Sequence, residues 1–205
     1  MTRKSRVFAA LYDRLSARSE KGVYASYRPY VAGQARGRVL EIGAGTGANL
    51  RYYPSDLTLT VVDPNPHMLR RLEAKAAAME VSVEVMEQAA EELPFADQSF
   101  DTVVGTLVLC SVDDQATSLG EIRRVLVPGG EFRFMEHVRA TTGGWARLQD
   151  WITPVWKIFG DGCHANRDTL SAMREAHLEV VEVRSFQFGP YPTRPHVAGI
   201  ACRPD

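Results

Sequence analysis

No stretch of this sequence comes near the roughly 18 consecutive apolar residues of a membrane-spanning helix. Cysteine is scarce. Cys110, Cys163 and Cys202 are the three in 205 residues, too few and too scattered along the chain for a disulfide framework or a metal spacing. An excess of one charge is missing too: the formal net charge is −1, which excludes a global field that demands nucleic acid. Repeats, linkers and low-complexity tracts are absent, so nothing divides the chain into arrays. The opening residues, MTRKSRVFAALYDRLSARSE, hold no apolar stretch of secretory-signal length. With the unpaired cysteines, that sets an expectation of a reducing, cytoplasmic setting.

What is present suits one globular domain with an ample core: 45% of residues are apolar and 24% charged. The charge is unevenly placed. Residues 1–38 hold nine Lys/Arg against two Asp/Glu, whereas the remainder holds fifteen against twenty-three. A basic arm of this kind packs on an acidic body or is drawn to an anionic surface. Within it, Val7, Phe8, Leu11 and Leu15 recur at helical spacing beside Tyr12, predicting a helix over residues 4–19.

The stretch Arg38–Asn65, RVLEIGAGTGANLRYYPSDLTLTVVDPN, organises the rest. Val39, Leu40 and Ile42 make the apolar run of a buried strand. Gly43, Gly45 and Gly47 then strip side chains from a sharp turn, so that backbone N–H groups can approach a ligand. A second apolar run, Leu57 to Val62, ends at Asp63, which places a carboxylate within reach of a ribose diol. Gly43, Gly45 and Ala48 also satisfy the dinucleotide pattern G-x-G-x-x-[G/A]. Glu41, however, ends the strand with a negative charge that would repel a pyrophosphate and that suits a cationic ligand.

Beyond Asp63, Asn65 reads as an N-cap and Pro66 as the first residue of a helix whose buried side is Met68, Leu69, Leu72, Ala76 and Met79. Val81, Val83 and Val85 alternate as a third strand. Phe100 to Leu109 reads as a fourth. Asp113-Asp114 caps a helix with Leu119, Ile122 and Val125 facing inward, closed by Gly129-Gly130 ahead of a fifth strand from Glu131 to Val138. Residues 141–163, with Trp151, Trp156, Pro154 and Phe159, read as an irregular apolar insert. A helix over 166–177 and strands at Glu179–Phe188 and His196–Cys202 complete the chain.

The segment E-x-G-x-G-x-G resembles motif I of class I S-adenosylmethionine (SAM) methyltransferases, and EELPFADQSFD and RVLVPGG resemble later signatures of that superfamily. RVLVPGG is no dinucleotide feature and counts against a nicotinamide oxidoreductase. A closer resemblance lies in VVGTLVLCSVDDQ, FMEHV, PVWKIFGDGCH and Arg194-Pro195-His196. These look like the methyltransferase-like thiol S-methyltransferase family, over about 165 residues from Arg38 onward. The eukaryotic members act on small thiols from membrane-anchored proteins. This chain starts with a basic amphipathic helix in place of a hydrophobic anchor, so membrane contact is not expected.

The resemblance implies a Rossmann-like α/β fold: a seven-stranded, mostly parallel sheet, helices on both faces and a C-terminal antiparallel hairpin. Residues 1–37 would form a helical lid and residues 38–205 the SAM-binding domain. It implies SAM as cofactor, S-adenosylhomocysteine as product, a small-molecule acceptor, and neither metal nor nucleic acid. By the superfamily pattern Glu41 would orient the methionine ammonium, with Gly43, Ala44, Gly45 and Asn49 along the cofactor backbone. Asp63 and Pro64 would meet the ribose, and Asn65 and Met68 the nucleoside. Ala89 stands where an adenine-facing Asp is usual, leaving the N–H groups of Ala89 and Ala90, with Glu91, to read the adenine edge. Thr106 and Leu107 would meet the ammonium, and Tyr12 would cover the site. A thiol acceptor reacts as thiolate, so a base or positive field helps. Glu136, His137, Asp161, Cys163 and His164 are the candidates to act on or hold the acceptor. Two alternatives stay open: an O- or C-methyltransferase acting on a quinone, phenol or polyketide-type molecule, and a SAM-binding module without catalysis.

Overall fold

The computed structural model describes residues 22–160, 162–189 and 192–205. The helix expected over residues 4–19, with Tyr12, lies outside the described residues, as do Asp161, Pro190 and Tyr191. At the centre is β1 (Arg38–Ile42), whose Val39, Leu40 and Ile42 are buried together with the carboxyl of Glu41. It pairs in parallel with β2 (Thr58–Asp63) on one side and β4 (Phe100–Thr106) on the other. β3 (Glu84–Glu87) extends the sheet beyond β2, and β5 (Leu126–His137) extends it beyond β4. β7 (Pro195–Cys202) runs antiparallel between β5 and β6 (Glu179–Gln187), giving the seven-stranded order β3-β2-β1-β4-β5-β7-β6. Winding reverses between β1 and β4, which opens a crevice at the carboxyl ends of those strands.

Alternation along the strands divides the core in two. Leu40, Val103, Phe132 and Phe134 point to one face, where α3 (Gln115–Val125) and α5 (Thr169–Glu175) supply Leu119, Ile122 and Met173. Val39, Val61, Val104 and Met135 point to the other, against α1 (Val23–Val31) and Leu72 and Ala76 of α2 (Pro66–Ala78). α2 starts as its sequence dictates: Asn65 Oδ1 accepts from His67 N–H, and Pro66 opens the helix. Asp114 caps α3 by accepting from Ala116 and Thr117 N–H. α1 is fastened at its end by Arg133, a buried guanidinium of β5 that donates to the carbonyls of Tyr30 (2.7 Å) and Val31 (2.9 Å). A cation at a helix C-terminus also complements the helix dipole.

Several boundaries depart from the sequence reading. β4 stops at Thr106 instead of Leu109, because Leu107 takes a positive φ of 57° and donates its N–H to Met135 O. β3 starts at Glu84, since Val81 N–H is spent on Ala76 O at the end of α2, and Met79 is 39% exposed instead of buried. Gly129-Gly130 does not close α3: the chain is already extended at Leu126, and the glycines sit in a register shift of β5. Residues 143–159 are the 17-residue helix α4 (Gly143–Phe159), not an irregular insert. Its buried face carries Ala146, Gln149 and Thr153, while Trp151 is 80% exposed beside Val155 and Ile158. This inverted pattern hides the helix from an apolar-periodicity reading. No helix among the described residues is long and apolar enough to cross a membrane.

Candidate active site

The glycine turn after β1 is the floor of the site. Gly43, Gly45 and Gly47 have φ values of +60°, +55° and +71°, which side chains disfavour. A Cβ on Gly43 would come within 2.3 Å of Val108, so glycine lets the turn after β4 close onto this loop. At Gly45 a Cβ would meet nothing within 4 Å, leaving the backbone bare toward a cavity of about 310 Å³. Asp63, at the tip of β2, is fixed by Gly45 N–H (2.9 Å) on one carboxylate oxygen and by Asn65 N–H (2.8 Å) on the other.

Gly43, Gly45, Asp63, Pro64, Asn65 and Met68 line the cavity at one end, and Ala90, Glu91, Thr106 and Leu107 continue its wall. Six sequence candidates do not line it: Glu41, Ala44, Asn49, Ala89, Glu136 and His164. Glu41 and Asn49 form a buried layer behind the glycine loop. Glu41 accepts from Asn49 Nδ2 at 2.7 Å and from the Tyr53 hydroxyl at 2.9 Å. Burial raises the Glu41 pKa to about 7 despite both bonds. Arg28, from α1, completes the layer by donating to Asn49 Oδ1 and to Thr106 Oγ1. Neither Arg28 nor Tyr53 was singled out in the sequence; Arg28, a cation within an otherwise apolar helix just before motif I, is the signal that could have found it.

Glu136 is turned away from the cavity. One carboxylate oxygen accepts from Val108 (2.8 Å) and Leu109 N–H (2.9 Å), the other from Cys110 N–H (3.3 Å), so this carboxylate shapes the turn after β4. Burial raises its pKa, opposed by those N–H donors. Ala44 N–H is engaged with Val62 O, and Ala89 O accepts from Glu92 N–H. His164 faces a separate hollow with Asp150 and Lys157, although its N–H donates to Cys110 O at 2.7 Å. Asp161 and Tyr12 lie outside the described residues.

The far end of the cavity is apolar and sulfur-rich, lined by Val108, Cys110, Val112, Trp156, Cys163 and His137. Cys163 Sγ stands 3.3 Å from His137 Nε2 and accepts from Trp156 Nε1 at 3.2 Å. Sequence spacing gave no sign of this meeting; Cys110 and Cys163 are 53 residues apart and converge only because the turn after β4 and the loop after α4 lie together. Of the aromatic residues in the segment read as an apolar insert, Trp156 lines the cavity, Trp151 points to solvent, and the Phe159 side chain lies outside what is described. Tyr24 closes another side, its hydroxyl 2.9 Å from His196 Nε2. Burial lowers the His196 pKa to about 4.

Comparison with known proteins agrees with this geometry. Residues 40–134 match the methyltransferase domain family. Thiol S-methyltransferase TMT1A of Homo sapiens is 34% identical over 203 residues, covering 96% of this chain and 83% of that protein. Thiol S-methyltransferase TMT1B of Homo sapiens is 39% identical over 178 residues, covering 82% and 72%. Among solved structures, a SAM-dependent methyltransferase from Thermotoga maritima superposes with a TM-score of 0.72 at 22% identity, covering 97% of each chain, a likeness of fold. The residues present fit SAM: the bare backbone at Gly45 and the Asp63 carboxylate face the cavity, and Asn65 Nδ2 is a buried donor without a partner among the described residues. The chain belongs to the class I SAM-dependent methyltransferases, in the family of the methyltransferase-like thiol S-methyltransferases.

Proposed function

We propose that the methyl acceptor of this SAM-dependent methyltransferase is a small, apolar thiol. The observation that carries the reading is the 34–39% identity, over most of both chains, to proteins named thiol S-methyltransferases. The cavity supports it: its far end offers Val108, Val112 and Trp156 to an apolar body and sulfur and imidazole groups to a polar head.

SAM supplies a methyl group on a sulfonium sulfur, already activated toward a nucleophile. The chain supplies position and exclusion of water. Asp63, held from behind by Gly45 and Asn65, would present its carboxylate to the ribose hydroxyls. Asn65 Nδ2 and Met68 would bound the nucleoside, with Ala90 and Glu91 at the adenine edge. Thr106 and Leu107 would meet the methionine end, and Glu41 would act there through Asn49, Thr106 and Arg28, not by direct contact. At the acceptor end His137 and Cys163 are the polar groups that would face the acceptor's sulfur.

Methyl transfer to an alkyl thiol, a phenol and an amine of matched size, measured from about pH 6 to pH 10 to bracket thiol ionisation, tests the reading. The thiol should react fastest, with a rate rising with pH until the bound thiol is ionised. Equal or faster transfer to the phenol or amine would overturn the thiol assignment.

A further inference from the structure

We propose that Cys110, Cys163 and His137 are the ligands of one divalent metal ion of zinc type, bound with a coordination position open to the cavity where the acceptor's sulfur attaches. The identity of the attaching group rests on the thiol reading above; the metal site does not.

One sulfur from each cysteine and one imidazole nitrogen lie within 4.8 Å of one another, and all three side chains are buried. Around a tetrahedral zinc, with Zn–S near 2.3 Å and Zn–N near 2.0 Å, neighbouring donors stand about 3.5–3.8 Å apart. The 3.3 Å between Cys163 Sγ and His137 Nε2 is already close to that value. No donor pair needs to draw in by more than about 1.3 Å. Two thiolates and an imidazole are a donor set that selects zinc or a similarly soft cation.

The frame around the three donors is built. The Glu136 carboxylate gathers the N–H groups of Val108, Leu109 and Cys110, fixing the turn that carries the first cysteine. His164 N–H donates to Cys110 O, tying the two cysteine-bearing segments together. The Trp156 indole N–H points at Cys163 Sγ, an outer contact that suits a thiolate ligand. A side chain at Gly160 would strike that indole at 2.9 Å, so glycine there lets ring and sulfur meet. Three protein ligands with a fourth side facing a ligand cavity is the arrangement of a zinc site that binds a reactant, as distinct from a closed structural site. At that fourth position a thiol R–SH would bind as thiolate, forming the metal–sulfur bond while its proton leaves to water.

The test uses the full chain purified under reducing conditions. Elemental analysis should find about one zinc per chain. Cobalt(II) added to the metal-free protein should give a sulfur-to-cobalt charge-transfer band. Cys110→Ser and Cys163→Ser should each diminish that band, and His137→Gln should weaken cobalt binding at least about tenfold. Cys202→Ser, outside the cluster, should change nothing. An alkyl thiol, but not a matched phenol, should shift the visible cobalt bands. A wild-type protein without zinc and without the charge-transfer band overturns the site, whatever the variants do. A band that ignores the thiol keeps the metal and removes its proposed occupant. Full-rate thiol methylation by metal-free protein leaves the thiol reading standing and removes the metal from it.

Discussion

Glu41 is a carboxyl group closed off from water behind a glycine loop, and its chemistry follows from that position. Its pKa of about 7 means that the folded chain keeps this proton to higher pH than the unfolded chain does. The resulting stabilisation is complete below about pH 4.5 and is lost as pH rises through about 7, by the linkage between proton uptake and folding. Glu41→Gln keeps the acceptor for Asn49, and the Tyr53 hydroxyl can turn to accept from the new amide. Urea unfolding should show the variant gaining about 2–3 kcal/mol on the wild type between pH 5 and pH 8; parallel profiles would sink the argument. At Asp63 the expected loss is of ligand. Asp63→Asn should weaken S-adenosylhomocysteine binding by about 1.5–3 kcal/mol, the contribution of a hydrogen bond to a charged group. Calorimetry on the folded variant checks this, and an unchanged affinity rejects the ribose role. Asp63 and Asn65 were legible in the sequence because strand end, N-cap and proline mark their positions locally. Tyr53 and Arg28 were not, since their partners are fixed only by the packing of distant segments.

Among the elements, the end of α1 is fastened by one side chain of the sheet. Arg133 satisfies its last two carbonyls and also donates to Gln34 Oε1 at 3.0 Å. Arg133→Met should leave these acceptors unpaired in a buried place and lower stability by about 2–4 kcal/mol. Because α1 carries Arg28 to the layer behind the glycine loop, S-adenosylhomocysteine affinity should fall as well. Denaturation and calorimetry read the two effects separately, and a variant unchanged in both would show that the anchor is dispensable. The elements also show where pattern reading succeeds. β1, β2 and α2 announce themselves through short apolar runs, a cap and a proline. α4 misleads because it buries Gln149 and Thr153 and turns Trp151 outward. β4 runs short because Leu107 adopts a backbone conformation that no apolar pattern encodes.

For the molecule as a whole, the strand order places one crevice over β1 and β4, and everything chemical gathers along it. The turn at 107–111 belongs to both ends of that crevice. Val108 packs against Gly43 at the cofactor end, while Cys110 faces Cys163 and His137 at the other. A ligand that settles against this turn holds it in place for its neighbour, and thermodynamics then requires each to raise the other's affinity by the same factor. Titrating thiol with and without S-adenosylhomocysteine, and the reverse, should return one common ratio above unity; a ratio of one would mean that the two ends are independent. Such a shared wall also leaves a kinetic trace. The ligand that arrives first writes the terms on which the second is received, and in initial-rate patterns each reactant should therefore lower the other's apparent Michaelis constant.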